Sequence, residues 1–497
     1  MFAIRNIYVA QQHMLCTRTG RGLLRKCIDH RFYDCYSTRT EKCKNSGLLE
    51  IPEGKMEYCS MNNGMRLISE YKKESFITTI GCFLPAGAVF EKPEERGSAL
   101  FLEHVLFQAT TQKNQQQIET ELQEIGGTLT AKAMRDMFVF YGTVPSYNAR
   151  KLADILLDVA LNGVTCFNDV ESAKYRILQE LSKVESNTEH VVMDYFSNIA
   201  YQDTVLSKSV FPESCIIENF EKECLISFRK RVFKPHFMTM ISSGAISLTE
   251  LQTVVDEYIT ESSQETQSST DDCKLKSFSD LKQLRFSGAD LRLRDDNKKL
   301  GYVAIGFEGP TYSQCTDRCA FQVAKEIIGS WDMTYSGANH NAPYLAHSAF
   351  NTGLCHLYKS FILDYACNSI WGCYFVCDKL ELDTMVSMLL REWRKLYTTV
   401  TNLEVERAIN KCKFQELKKL NDPVDRFFDI VNCLHLRKCY IPMEERLAKY
   451  EAITTNMMRD AASKYICNQS PAIVGLGRIE NLTDYCIILR GTWSLYY

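Results

Sequence analysis

The sequence predicts an α+β protein made of two related halves, each a mixed or antiparallel sheet packed with helices. Three observations carry that prediction. Apolar residues recur with the two-residue period of strands in some blocks and with the 3.6-residue period of helices in others, and the blocks alternate. A polar, serine-rich stretch at 260–272 (TESSQETQSSTDD) interrupts the chain near its middle, with no apolar period of its own. Past that stretch the pattern repeats. A strand over 302–307 followed by Glu308-Gly309-Pro310 echoes a strand over 77–83 followed by Pro85-Ala86-Gly87, and a helix comes next in each case.

Taken in order, residues 65–68 and 76–83 read as strands flanking a turn. A charged loop leads to a helix over 100–107. Residues 115–125 form a second helix, stopped by Gly126-Gly127. Two strands lie within 128–144. Helices follow over 151–161, 170–187 and 191–200, then a strand over 238–243 and a helix over 248–259. In the second half a helix over 319–328 stands where the 100–107 helix stood in the first. Trp493 and Tyr496-Tyr497 read as a packed C-terminal strand, and Cys373 and Cys377 as core thiols. Gly329 and Gly337 read as turns, because no G-x-x-x-x-G-K pattern accompanies them. The layout is then a variable N-terminus over 1–43, a first half over 44–259, a linker over 260–282 and a second half over 283–497.

Composition bounds the function. A chain of 497 residues is too long for one core. The formal net charge of −3 gives no footprint for nucleic acid or an anionic membrane, and no apolar run reaches the ~20 residues of a spanning helix. The 21 cysteines are odd in number, scattered and never spaced as C-x-x-C, which argues for free thiols in a reducing compartment. Residues 1–28 lack acidic side chains but carry Arg5, Arg18, Arg21, Arg25 and Lys26. Such a segment is either a mitochondrial presequence, ending near 28–43 where Asp29 and Asp34 appear, or a plain basic tail.

The chemistry concentrates in 97–107 (GSALFLEHVLF). Gly97 and Ser98 precede the first turn, where a small polar residue satisfies free N–H groups. Leu100 and His104 lie four apart on one face, with Glu103 beside them. A histidine at 100 would complete H-x-x-E-H, in which two imidazoles bind zinc and the glutamate activates its water. Position 100 is leucine instead. A helix bearing one Glu-His pair is also an ordinary amphipathic helix. Glu180, on a strongly helical segment beside Ile177, Leu178 and Leu181, is what a downstream ligand would look like, though spacing alone does not decide it.

These residues resemble the pitrilysin-type zinc peptidase family, and within it the branch of mitochondrial processing peptidase beta subunits and complex III core proteins. The resemblance runs from about residue 50 onward. It rests on 97–110, Arg135-Asp136, 177–180, Arg285-Phe286-Ser287-Gly288, 328–332, 353–356, Trp371-Gly372, Val376-Cys377, Pro471-Ala472-Ile473 through Gly477, Ile479-Glu480 and Trp493. It implies that Glu103 stands at the family's general base, His104 at its second histidine ligand and Glu180 at its glutamate ligand. The first histidine's place holds Leu100, and an accessory acidic position holds Ala173. Thr130 and Lys132 stand in the substrate-holding edge strand where asparagine and tyrosine are usual.

A catalytic zinc takes three protein ligands and a water. His104 and Glu180 supply two, and nothing places His190 as a third. The resemblance therefore implies a non-catalytic core subunit of respiratory complex III on the matrix side of the mitochondrial inner membrane. Its partners would be a homologous core protein 2 and other complex subunits, and no cofactor is expected. The alternative is a zinc endopeptidase beta subunit that cleaves presequences with an alpha subunit. In either case the site would belong to the first half, whose helix alone bears the Glu-His pair.

Overall fold

A computed structural model describes residues 53–163, 170–262, 284–334, 343–366 and 368–493. The basic segment expected over 1–43, Gly337, Tyr496-Tyr497 and most of the expected linker lie outside these residues. The first half contains β1 (Lys55–Ser60), β2 (Arg66–Tyr71), β3 (Ile77–Leu84), α1 (Ser98–Val105), α2 (Gln115–Ile125), β4 (Thr128–Ala133) and β5 (Phe138–Pro145). It continues with α3 (Ala149–Asn162), α4 (Val170–Ser186), α5 (Thr188–Ala200), α6 (Ser214–Glu218), α7 (Lys222–Val232), β6 (Thr239–Gly244) and α8 (Leu248–Ser262).

The second half opens with β7 (Asp290–Arg294), β8 (Gly301–Gly309), α9 (Cys315–Ile328), β9 (Ser330–Asp332), α10 (Tyr344–Thr352), β10 (Leu357–Asp364) and β11 (Ser369–Cys377). After these come α11 (Leu382–Thr398), α12 (Asn402–Lys418), α13 (Pro423–Arg437), α14 (Met443–Glu451), α15 (Thr455–Tyr465), β12 (Ala472–Gly477) and α16 (Tyr485–Gly491).

Two mixed sheets result, ordered β1-β2-β6-β3-β5-β4 and β7-β12-β8-β11-β10-β9. Leaving out β1 and β9, the orders superimpose strand for strand. Each has one parallel pair (β2 with β6, β7 with β12), the remainder being antiparallel. The strands expected to flank a turn, β2 and β3, do not pair with each other. β6, arriving from far along the chain, lies between them.

Both faces of both sheets are covered, so central strands such as β3, β6 and β11 are buried along nearly their whole length rather than on alternate residues. On β5, Phe138 and Phe140 enter the core beneath α1–α4, while Val139 enters a second core on the opposite face. What covers that opposite face comes from the other half. α13, through Phe427, Ile430, Val431 and Leu434, packs on Ile68, Phe83, Val139 and Ile241 of the first sheet. Reciprocally α5, through Val192, Phe196 and Ala200, packs on Ala304, Phe361, Ile370, Tyr374 and Val474 of the second. The halves thus exchange one helix each.

Gly329 ends α9 at φ +75°, in keeping with a turn. Cys373 and Cys377 are fully buried core thiols. Trp493 is not in a strand: it follows the helix α16 and is exposed, because residues 485–491 satisfy their own backbone groups within a helix capped by Asp484.

Candidate functional site

The site is built around α1. Gly97 lies just before it at φ +92°, a left-handed value that glycine adopts without Cβ strain. The expected capping by Ser98 does not occur, because its hydroxyl is buried inside the first turn without a partner. The cap comes instead from Glu91, whose carboxylate accepts the N–H of Gly97 at 2.9 Å and of Ala99 at 2.8 Å. Glu91 is 5% exposed; burial pushes its carboxyl up to about 7 against the pull of those two N–H groups and of Lys208 and Arg96.

α1 packs against α4, α7 and the edge strand β4. From that position His104 Nε2 meets Glu180 Oε2 at 2.8 Å, joining α1 to α4. Glu103 turns toward β4, where its Oε2 accepts the Ala133 N–H at 2.7 Å. It thereby occupies a donor that β4 does not give to β5. Burial pushes the Glu103 carboxyl up to about 7; the Ala133 N–H and Lys132 pull it down, and the Glu180 carboxylate adds to the rise.

The remaining positions fall as follows. Leu100, one turn before His104, is 1% exposed and belongs to the first core. Ala173 is fully buried in the same core. Thr130 and Lys132 are exposed on β4, opposite Tyr141 and Val139. His190 lies on α5 with its ring edge-on to Phe211 at 5.8 Å. So the fold brings Glu103, His104 and Glu180 together, and it surrounds Leu100 with hydrocarbon.

Among the described residues no three His, Cys, Asp or Glu side chains gather in a way that could hold a metal ion. The donor chemistry points the same way: two groups in mutual hydrogen bond, with an isobutyl group where a third nitrogen would be needed, do not fit a catalytic zinc. In the second half the corresponding helices, α9 and α12, are bridged by Glu326 and Lys411 at 2.8 Å, an ordinary ion pair.

In the sequence Arg135-Asp136 is one of the landmarks of the family resemblance, with no role attached. In the structure this pair, in the turn between β4 and β5, is a hub. The Arg135 guanidinium bonds the Asp194 carboxylate, Asn198 Oδ1 and the carbonyls of Leu206 (2.8 Å) and Lys208 (3.1 Å). Asp136 accepts from the Ala366 N–H at 3.0 Å and faces His435 Nε2 on α13 at 2.8 Å. Burial by itself would raise the Asp136 carboxyl, but His435 holds it below the usual range. Two adjacent opposite charges between the β4 and β5 strand patterns were the available signal.

Comparison with known proteins bears on this arrangement. A family model described as insulinase (peptidase family M16) matches residues 66–213, and one described as the peptidase M16 inactive domain matches 219–412. The chain is 28% identical over 480 residues to the mitochondrial-processing peptidase subunit beta of Bos taurus, covering 96% of each. It is 28% identical over 482 residues to the mitochondrial cytochrome b-c1 complex subunit 1 of Rattus norvegicus, covering 97% of this chain and 98% of that one. Its fold is shared with a chain of a solved structure of complex III2 from Candida albicans, at a TM-score of 0.78 and 21% identity, covering 88% of this chain and all of the other. The two family models follow one another along the chain and together take in more than half of the sequence, so this chain belongs to the M16 peptidase family.

Proposed function

We propose that the chain is a non-catalytic core subunit of mitochondrial respiratory complex III, or a drifted paralogue of one. In this role it scaffolds other subunits from the matrix face of the inner membrane, paired with a homologous core protein 2. One observation carries the reading: Leu100 fills the first ligand position with buried hydrocarbon, at 1% exposure. Glu103, His104 and Glu180 then persist as a vestigial general base and two vestigial ligands, His104 bonded to Glu180 and Glu103 to the β4 backbone. Relatives of near-equal identity include both peptidase beta subunits and cytochrome b-c1 subunits 1, and the second group favours the scaffold. We assign the first half to 44–259, the linker to 260–282 and the second half to 283–497, behind a presequence within 1–43. No helix among the described residues is long and apolar enough to cross a membrane, so attachment would run through partners.

A second reading, the zinc endopeptidase beta subunit acting with an alpha subunit on presequences, is favoured by Glu103. Its carboxyl, pushed up to about 7 beside an edge strand, has the character of a general acid–base group. Zinc would be the cofactor only in this case. Native purification from mitochondria, with mass spectrometry of what accompanies the chain and metal analysis of the product, separates the two. Cytochrome-complex subunits with less than one zinc per ten chains are expected. An alpha subunit with stoichiometric zinc would overturn the scaffold reading.

A further inference from the structure

We propose that a cavity between the two halves binds a small oxyanion, a carboxylate or a phosphate, with Arg437 as its principal anchor. The cavity has a volume of about 570 Å³, within the ~300–1,000 Å³ usual for small-molecule sites. Asp136 and Met137, in the turn between β4 and β5, close it from the first half. The rest of its wall comes from β10, α9, α12, α13 and α14 of the second half.

The charges of that wall sort into pairs and leave one cation over. Asp136 faces His435 Nε2 at 2.8 Å, and Asp364 is taken up by Arg318. Glu416 meets Lys419 at 2.9 Å, Asp429 meets Arg446 at 2.7 Å, and Lys449 is paired with Glu445 at 2.7 Å. Among the described residues Arg437 has no carboxylate partner. Its guanidinium lies 5.3 Å from the Tyr312 ring centre, and its Nη1 is buried without a hydrogen-bond acceptor. The other acid of the wall, Asp425, is exposed in the first turn of α13, whereas Arg437 is the last residue of that helix, about 18 Å along the axis. The two charges therefore mark opposite ends of the cavity and do not neutralise each other.

Tyr312 organises the cationic end. Arg318, 2% exposed on α9, stands with its guanidinium 4.4 Å from the same ring centre and donates from Nη2 to the Tyr312 hydroxyl at 3.2 Å. Its Nη1, like that of Arg437, is buried and unpartnered. The Tyr312 hydroxyl donates in turn to Asp364 Oδ2 at 3.0 Å, and Asp364 Oδ1 is buried with no donor. One aromatic ring thus carries two guanidinium groups, each with an unused N–H nitrogen, beside a carboxylate with an unused oxygen. Buried groups of this kind are costly to leave unbonded, and an oxyanion satisfies a guanidinium through short, charge-assisted hydrogen bonds. An O–H on the same ligand, present in hydroxy acids and in hydrogen phosphate alike, supplies the donor that Asp364 Oδ1 lacks. Arg437 and Asp364 both touch Tyr312, so one small ligand can span them.

The test is calorimetric titration of the full-length chain with citrate and with inorganic phosphate, each against sodium chloride of matched ionic strength. Citrate binding points to a hydroxy acid and phosphate binding to a phosphorylated ligand; a dissociation constant tighter than about 1 mM is expected for at least one of them. Arg437→Gln should weaken that binding about tenfold or more, the loss of a charge-assisted hydrogen bond. Arg150→Gln removes the same charge from an exposed pair with Glu257 and should leave binding unchanged. On the unmutated chain the bound anion should protect Arg437, but not Arg150, from phenylglyoxal, as read by mass spectrometry. Heat no greater than that from chloride with both anions overturns the proposal, whether or not the variants fold. So does binding that leaves Arg437 fully reactive, or that the two variants weaken alike.

Discussion

At the scale of single residues, position 100 decides what the site can do. Leu100→His places an imidazole where the first core now packs an isobutyl group, and an unpartnered buried polar group costs roughly 1–3 kcal/mol. A fall of that size in unfolding free energy is expected, without gain of presequence-peptide cleavage in added zinc, since Ala173, Thr130 and Lys132 are unchanged. Cleavage by this single variant would contradict the account. Glu91 gives a pH signature. Its folded carboxyl is raised to about 7, above the unfolded value near 4.5, so the folded state holds the proton more tightly. The protein should therefore lose stability as pH rises from about 4.5 through 7, by at most roughly 3 kcal/mol. Glu91→Gln does not titrate. The melting temperature of this variant, measured relative to the unmutated chain, should climb between pH 5 and pH 8, and a flat difference would rule the effect out.

At the scale of elements, the turn between β4 and β5 ties its neighbours together. Arg135→Ala removes the bonds to Asp194, Asn198 and two carbonyls and leaves Asp194 without its cation, which should cost roughly 3 kcal/mol or more. Chemical denaturation would measure that loss, and hydrogen exchange should show α5 loosening first. Elements of this kind were legible to different degrees. The α2 boundaries follow from Asn114 and Gln117, which cap each other's backbone, and from Gly126 at φ +67°, all local chemistry. The meeting of His104 with Glu180 was legible as two polar groups on apolar helix faces. The insertion of β6 between β2 and β3 was not, because strands buried on both faces carry no alternation to fix their neighbours. The Glu91 cap was hidden for a related reason: its carboxylate reaches α1 through the folded path of the chain, not through a helical spacing.

At the scale of the whole molecule, the exchanged helices are locked by charge as well as by hydrocarbon. Arg426 on α13 bonds Glu70 on β2 at 2.9 Å, with both side chains essentially without solvent. It also reaches Asp429, which in turn holds Arg446 at 2.7 Å. Burial would push the Glu70 carboxyl up, but the Arg426 guanidinium keeps it below the ordinary range. Arg426→Met strands that carboxylate in the interior and should cost about 3–5 kcal/mol. The double change Arg426→Met with Glu70→Leu should recover much of it, a coupling readable by a double-mutant cycle. Polypeptides ending at 259 and starting at 283 should each be poorly soluble alone and should form a stable complex when produced together, because each bares a sheet face that only the other's helix covers.

The same exchange bears on how the chain reaches its native state. Glu70 precedes Arg426 by 356 residues, so the first sheet cannot be roofed until nearly the whole polypeptide is present. Contacts between such distant residues form late and slowly, and the nascent first half must wait with Ile68, Phe83 and Ile241 open to water. In a chain built this way the unassembled early portion is the part most prone to clump.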